Sequence, residues 1–123
     1  NGLHNKIKRG AVLIAANRLN PDVLLLQETH LPGNNTPFLE FKTTYHAGFL
    51  TGSRGVAILV HGRFPLQVSK DSRLGRYVGI SGDYQGETLS VLCVNATPPQ
   101  LTTKFIHVIQ KVLLEFPVGL LVV

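Results

Sequence analysis

The chain has 123 residues, a mass of 13.4 kDa and a net charge of +5. Hydrophobic residues make up 44% and charged residues 15%, which excludes a disordered tail and fits one compact domain. A single cysteine, Cys93, excludes an internal disulfide and a cysteine-built zinc site, and with them the disulfide-stapled secreted class. No apolar run approaches the roughly 20 residues needed to cross a bilayer, and no cationic-then-apolar leader opens the chain. The expected setting is intracellular, nucleus or cytoplasm, with no membrane partner. The positive balance favours an acidic partner such as nucleic acid. The chain contains no methionine, opens on Asn1-Gly2 and stops inside an apolar run, so it reads as a piece cut from a larger domain.

In chain order, Lys6 to Asn20 has Ile7, Ala11, Ile14, Ala15 and Leu19 at steps of three and four, which predicts a helix with that face inward. Pro21 ends it. Val23 to Gln27 is a short, nearly all-apolar run, as expected of a strand covered on both faces. Leu31 to Thr36 carries proline, glycine and two asparagines, and Gly48 to Gly55 is rich in glycine, so both predict loops. Thr43 to Ala47 and Gly55 to Val60 predict strands. So do Phe64 to Val68 and Tyr77 to Ser81, with a weaker pattern. Asp83-Tyr84-Gln85-Gly86 predicts a hairpin turn leading into a strand over Thr88 to Val94. Thr102 or Thr103 caps a helix whose stripe is Phe105, Ile109, Val112, Leu113 and Phe116, and Pro117 stops it. Gly119 to Val123 begins another strand. This alternation predicts an α/β or α+β fold with a mixed sheet.

Glu28 follows Leu24-Leu25-Leu26 at the end of a strand, where open α/β sheets bind ligands. It reads either as a hard ligand for Mg²⁺ or as a solvated strand-end glutamate. Asn1-Gly2 reads either as a phosphate-network asparagine or as a turn. The histidines at 4, 30, 46, 61 and 107 show no metal spacing and read as surface or strand-end residues. His30 is the exception, placed two residues after Glu28 to contact phosphate or act as a base. Arg54, in a glycine-rich loop, reads as a phosphate contact or as an ordinary loop arginine. Cys93, inside an apolar strand, reads as inert core. No serine sits in a nucleophile-elbow context, and no Walker or dinucleotide loop is present.

NGLHNKIKR, PDVLLLQETHL, RGVAILV and GRYVGISGDYQGETLSVLCVNA, in that order, resemble the endonuclease/exonuclease/phosphatase superfamily. Within it the chain most resembles the endonuclease domain of LINE-type (non-LTR) retrotransposons, which also carry a reverse transcriptase. The resemblance spans essentially the whole chain. It implies a partial four-layer α/β sandwich with two facing sheets, in which residues 1–123 are the N-terminal part of one domain truncated at both ends. It implies Mg²⁺-dependent hydrolysis of a DNA phosphodiester that nicks one strand and leaves a 3′-hydroxyl to prime reverse transcription. Glu28 matches the metal-ligand glutamate, and Asn1 the asparagine that helps hold metal and phosphate.

The chain also departs from the pattern. The family usually reads Tyr-Ala-Pro-Asn where this chain reads Asn95-Ala96-Thr97-Pro98, so Asn95 stands at the active-site tyrosine position. The Gly-Asp-x-Asn motif, a later aspartate and the catalytic histidine fall outside the sequence. The resemblance therefore implies a fragment that is inactive by itself. Its rivals are a degenerate or domesticated piece that binds nucleic acid weakly without catalysis, and a phosphatase of the same superfamily. The strand ending at Val94 is expected beside those at Val23–Gln27 and Gly55–Val60, bringing Asn1, Glu28 and Asn95 to one rim.

Overall fold

The computed structural model describes residues 6–30, 43–48, 54–74, 76–95, 102–117 and 119–123. The expected loop at 31–36 and the Asn1-Gly2 pair lie outside these. Helix α1 covers Lys6–Leu19. It ends where Asn20 turns left-handed (φ 52°), its N–H reaching Ala16 O at 2.8 Å, and Pro21 then forbids continuation.

The inward face of α1 is not the expected one. Ile7 is 82% exposed, Ile14 59% and Leu19 80%, while Val12, Leu13 and the 3%-exposed Ala16 pack on the neighbouring sheet. Apolar residues stand at helical spacing on both sides of this helix, so periodicity does not choose between them. The sheet takes the side of Val12, Leu13 and Ala16, which packs on Leu24, Leu26, Ala57 and Leu59.

That sheet has three strands: β1 (Val23–Gln27), β2 (Thr43–Ala47) and β3 (Val56–Val60), in the order β1-β3-β2, all antiparallel. β3 is wholly buried. Leu24, Leu26, Ala57 and Leu59 face α1, and Val23, Leu25, Val56, Ile58 and Val60 face the opposite way. β1 is covered on both faces, as its sequence predicts, but it is half-buried because only one of its edges is paired among the described residues.

The second sheet runs β4 (Leu66–Leu74), β5 (Tyr77–Tyr84), β6 (Glu87–Val94) and β7 (Leu120–Val122). β4 continues well past the expected Val68, through Ser69-Lys70-Asp71-Ser72-Arg73. It is an edge strand with a bulge between Val68 and Lys70, so its polar side chains meet water while its backbone pairs with β5. The β5–β6 hairpin turns on Gln85-Gly86, both with positive φ (53° and 85°), the geometry that suits the strand twist. Helix α2 (Thr103–Glu115), capped by Thr102 as expected, carries the chain over to β7, which lies parallel to β6. The second sheet is therefore mixed.

The inward residues Val78, Ile80, Leu89, Val91 and Cys93 meet the inner face of the first sheet and form the main core. On the outer face, Tyr77 and Leu92 pack against Val112 and Phe116 of α2. The order α1, sheet, sheet, α2 is a four-layer α/β sandwich. One expectation is corrected here: β6 does not lie beside β1 and β3 but in the facing sheet. Contact between them is across the core, where Cys93 Sγ reaches Leu26 O at 3.5 Å. Burial pushes the Cys93 thiol up to about 11, so it is inert core as expected. No helix among the described residues is long and apolar enough to cross a membrane.

The packing of α1 makes a direct test. Ala16→Asp should lower unfolding stability by at least about 2 kcal/mol, because it places a carboxylate against Leu24 and Leu26. Ile14→Asp, on the exposed side, should stay within about 0.5 kcal/mol of wild type. Urea unfolding of the two variants separates the faces, and equal losses would overturn the assignment.

Candidate active site

At the C-terminal end of β1 the regular alternation of side chains breaks. Val23 and Leu25 face the second sheet, Leu24 and Leu26 face α1, so Glu28 is due on the helix side and Thr29 on the other. The observed placement is the reverse. Glu28 takes a left-handed backbone (φ 53°), and its carboxylate meets Asn95 at the end of β6 in the facing sheet. Thr29 turns to the helix side, where its hydroxyl lies 2.9 Å from Nε2 of the buried His46. His30, also left-handed (φ 55°), returns to Glu28's side. Two backbone bonds hold this segment to the strand opposite: Thr29 N–H to Gly55 O (3.2 Å) and His30 N–H to Arg54 O (2.6 Å).

The carboxylate of Glu28 is held at both oxygens. Asn95 Nδ2 donates to Oε1, and His30 Nε2 stands 2.8 Å from Oε2. Asn95 is 3% exposed; its main-chain N–H is held by Arg76 O at 2.8 Å. Beside it, Gln27 Nε2 donates to Val94 O, tying the two sheets together at this rim. Donation from the Asn95 amide is the main reason that the Glu28 carboxyl titrates below its ordinary range. Partial burial pulls the other way, and the His30 hydrogen bond with the charges of His30 and Arg54 adds to the lowering.

Of the residues singled out in the sequence, Glu28, His30 and Asn95 are brought together, and Arg54 lies close enough for its charge to act on Glu28. Asn1 lies outside the described residues. Asn95 reaches the rim as expected, but from the facing sheet. His46 is corrected in one respect: it lies near the end of β2 but is fully buried, not at the surface. Thr29, His46 and Gln27 were missed as parts of the rim. The Gln-Glu-Thr-His run marks the segment, but nothing local says that its pleat inverts.

Among the described residues the aspartates stand elsewhere. Asp22 is at the opposite end of β1, clasped by Arg63 at 2.7 Å, with Arg63 also bonded to Asn20. Asp71 pairs with Arg73 on the β4 edge, and Asp83 receives Gly86 N–H in the distant hairpin. Among the described residues no three His, Cys, Asp or Glu side chains gather as a metal cage. Mg²⁺ does not require one, since it is commonly held by one or two carboxylates with its remaining positions filled by water and phosphate. Glu28, 30% exposed at the rim and ionised, has the chemistry for that role, and Asn95 donates to one of its oxygens.

No protein-family model matches the chain. The fold is shared with the crystal structure of truncated TDP2 from Caenorhabditis elegans, at a TM-score of 0.60 and 22% identity over 83% of this chain and 46% of that one. A second crystal structure of the C. elegans protein, with selenomethionine, matches at a TM-score of 0.59 and 22% identity over 83% of this chain and 35% of that one. The chain thus spans less than half the length of the TDP2 chains that it matches. At this identity the likeness establishes the fold alone, a four-layer α/β sandwich.

The Glu28 environment has a titration signature. Its folded carboxyl titrates below its unfolded value, so the ionised form stabilises the fold at neutral pH, and that contribution is lost as pH falls through the folded value. In Asn95→Ala the Glu28 midpoint, followed by side-chain carboxyl NMR, should rise toward the ordinary carboxylate range. An unmoved midpoint would show that the amide is not what holds it down.

Proposed function

We propose that this chain carries the metal-holding part of a DNA-processing phosphodiesterase of the endonuclease/exonuclease/phosphatase superfamily, of the strand-nicking kind found in retrotransposons. The observation that carries the reading is the Glu28–Asn95–His30 group on the rim between the two sheets. The shared sandwich fold, the +5 charge and the run QETH after an apolar strand support it.

When bound, Mg²⁺ supplies a Lewis acid that neutralises charge developing on the phosphate. Glu28 is the residue to hold it, with Asn1 as the second ligand expected from the NG motif. Asn95, at the family's tyrosine position, fixes the direction of the Glu28 carboxylate and keeps it ionised. His30 stands on the other oxygen, where as imidazolium it donates to phosphate as well as to Glu28. Arg54 adds positive potential from the adjacent strand end. Among the described residues no second carboxylate acts on Glu28, and so none is placed there to orient an attacking water. General-base catalysis is worth about 10²–10⁴-fold, so this set of residues holds metal and phosphate better than it turns over substrate.

The reading is tested on the 123-residue chain. Paramagnetic broadening by Mn²⁺ should centre on Glu28, His30 and Asn95 and spare Asp22 and Arg63, and Glu28→Gln should abolish it. Binding of duplex DNA, followed by fluorescence anisotropy, should weaken steeply with salt. Supercoiled plasmid should show no Mg²⁺-dependent nicking above the Glu28→Ala background. DNA binding without localised Mn²⁺ would favour the non-catalytic rival. Localised Mn²⁺ without DNA binding would favour the phosphatase.

A further inference from the structure

The inverted pleat after Gln27 needs something to hold it, since a glutamate in the left-handed region is strained. Glu28's own contacts do not suffice as an account. Its carboxylate is 30% exposed and His30 34%, so water competes for that pair, and of its partners only the 3%-exposed Asn95 amide is sheltered. The buried side of the segment is different. Thr29 is wholly buried and has its hydroxyl 2.9 Å from Nε2 of His46, itself wholly buried near the end of β2 on the sheet's helix-facing side.

Three strands meet at this bond. Thr29 continues β1, His46 belongs to β2, and Gly55 leads into β3 between them. Gly55 has φ 109°, and a Cβ placed on it would lie 2.4 Å from Thr29 Oγ1 and 3.4 Å from His46 Nε2. The strand between must lack a side chain at that position for the hydroxyl to reach the ring.

We propose that the Thr29–His46 hydrogen bond, made across Gly55, is the positioning device for Glu28: it holds Thr29 on the helix side of the sheet and thereby turns the Glu28 carboxylate to the rim between the sheets. Thr29 and His46 touch neither metal nor phosphate; they are positioning residues. If the bond is lost, Thr29 has no reason to stay on the helix side, and the segment relaxes to the regular pleat with Glu28 turned toward α1. The consequence for metal affinity rests on the reading of Glu28 as a metal ligand. The consequence for its orientation does not.

The test uses Thr29→Val, which keeps the β-branched shape and removes the hydroxyl, and Thr29→Ser, which restores it. Two NMR signals read the orientation without metal: the HN–Hα coupling of Glu28, which reports its left-handed backbone, and the side-chain amide protons of Asn95, which report the carboxylate opposite. Thr29→Val should shift both toward an extended Glu28 and an Asn95 without its partner, the latter calibrated by Glu28→Gln. Its Mn²⁺ affinity should fall about tenfold, as for loss of a second-sphere partner. Thr29→Ser should recover both.

Ile58→Val, a core change elsewhere in the sheet, should leave these signals as in wild type and so separates positioning from general destabilisation. If Thr29→Val melts below the working temperature, His46→Phe, which removes the bond from the other side, makes the same comparison. A folded Thr29→Val or His46→Phe with wild-type coupling and wild-type Asn95 resonances overturns the proposal. A wild-type chain that binds no Mn²⁺ overturns the metal-ligand reading instead, and the two NMR signals still decide the positioning.

Discussion

The left-handed backbone at Glu28 is the constraint on which the rim depends. In a regular strand the carboxylate would point at α1, among Leu24, Leu26 and their helix partners, where an ionised group is costly. One residue with φ 53° exchanges the two sides for everything after Gln27. Glu28 and His30 then face the opposite sheet, and Thr29 takes the buried position. Strain of this kind costs of order 1–3 kcal/mol and persists only where the surroundings over-determine it. Here the surroundings are two main-chain bonds to the segment Arg54-Gly55, a buried side-chain bond, and the amide of Asn95.

The two sheets have to face each other closely for that arrangement to work. Alternation along β6 sends Leu89, Val91 and Cys93 into the core, and Asn95 continues the same parity just past the strand's end. Its amide therefore emerges between the sheets, where the apolar layer stops and Glu28 begins. Gln27 bridges to Val94 O beside it, so the seam is closed by polar bonds where hydrophobic contact ends. A carboxylate in such a place is sheltered enough to be oriented and exposed enough to meet a ligand.

The opposite end of the first sheet shows what a purely structural polar cluster looks like. Arg63 there spends its donors on Asn20 and Asp22, and His61 N–H closes onto Asp22 O. Every partner belongs to a turn that the cluster ties down. At the Glu28 end the polar atoms converge on one carboxylate instead, and Glu28, His30 and Arg54 all have positive φ. The charges are alike in kind at the two ends, but at the Glu28 end they are gathered on a single carboxylate.

Residue type and spacing determined a good part of this protein. The apolar runs 23–27 and 56–60, the Thr102 cap, the stop at Pro117 and the turn before Glu87 are local signals, and each element stands where its run places it to within a few residues. The place of Glu28 at a strand end was legible as well, since the apolar run 23–27 stops just before it. What the tertiary structure decided is what local patterns do not encode. Both sides of α1 carry apolar residues, so only the sheet could choose Ala16 over Ile14. The polar run of β4 is a strand because its neighbour's backbone pairs with it. Pairing of β6 in the facing sheet depends on the crossover through α2 and on core packing. The burial of His46 and the inversion at Glu28 arise from contact among three strands distant in sequence, and a pattern read one strand at a time has no access to them.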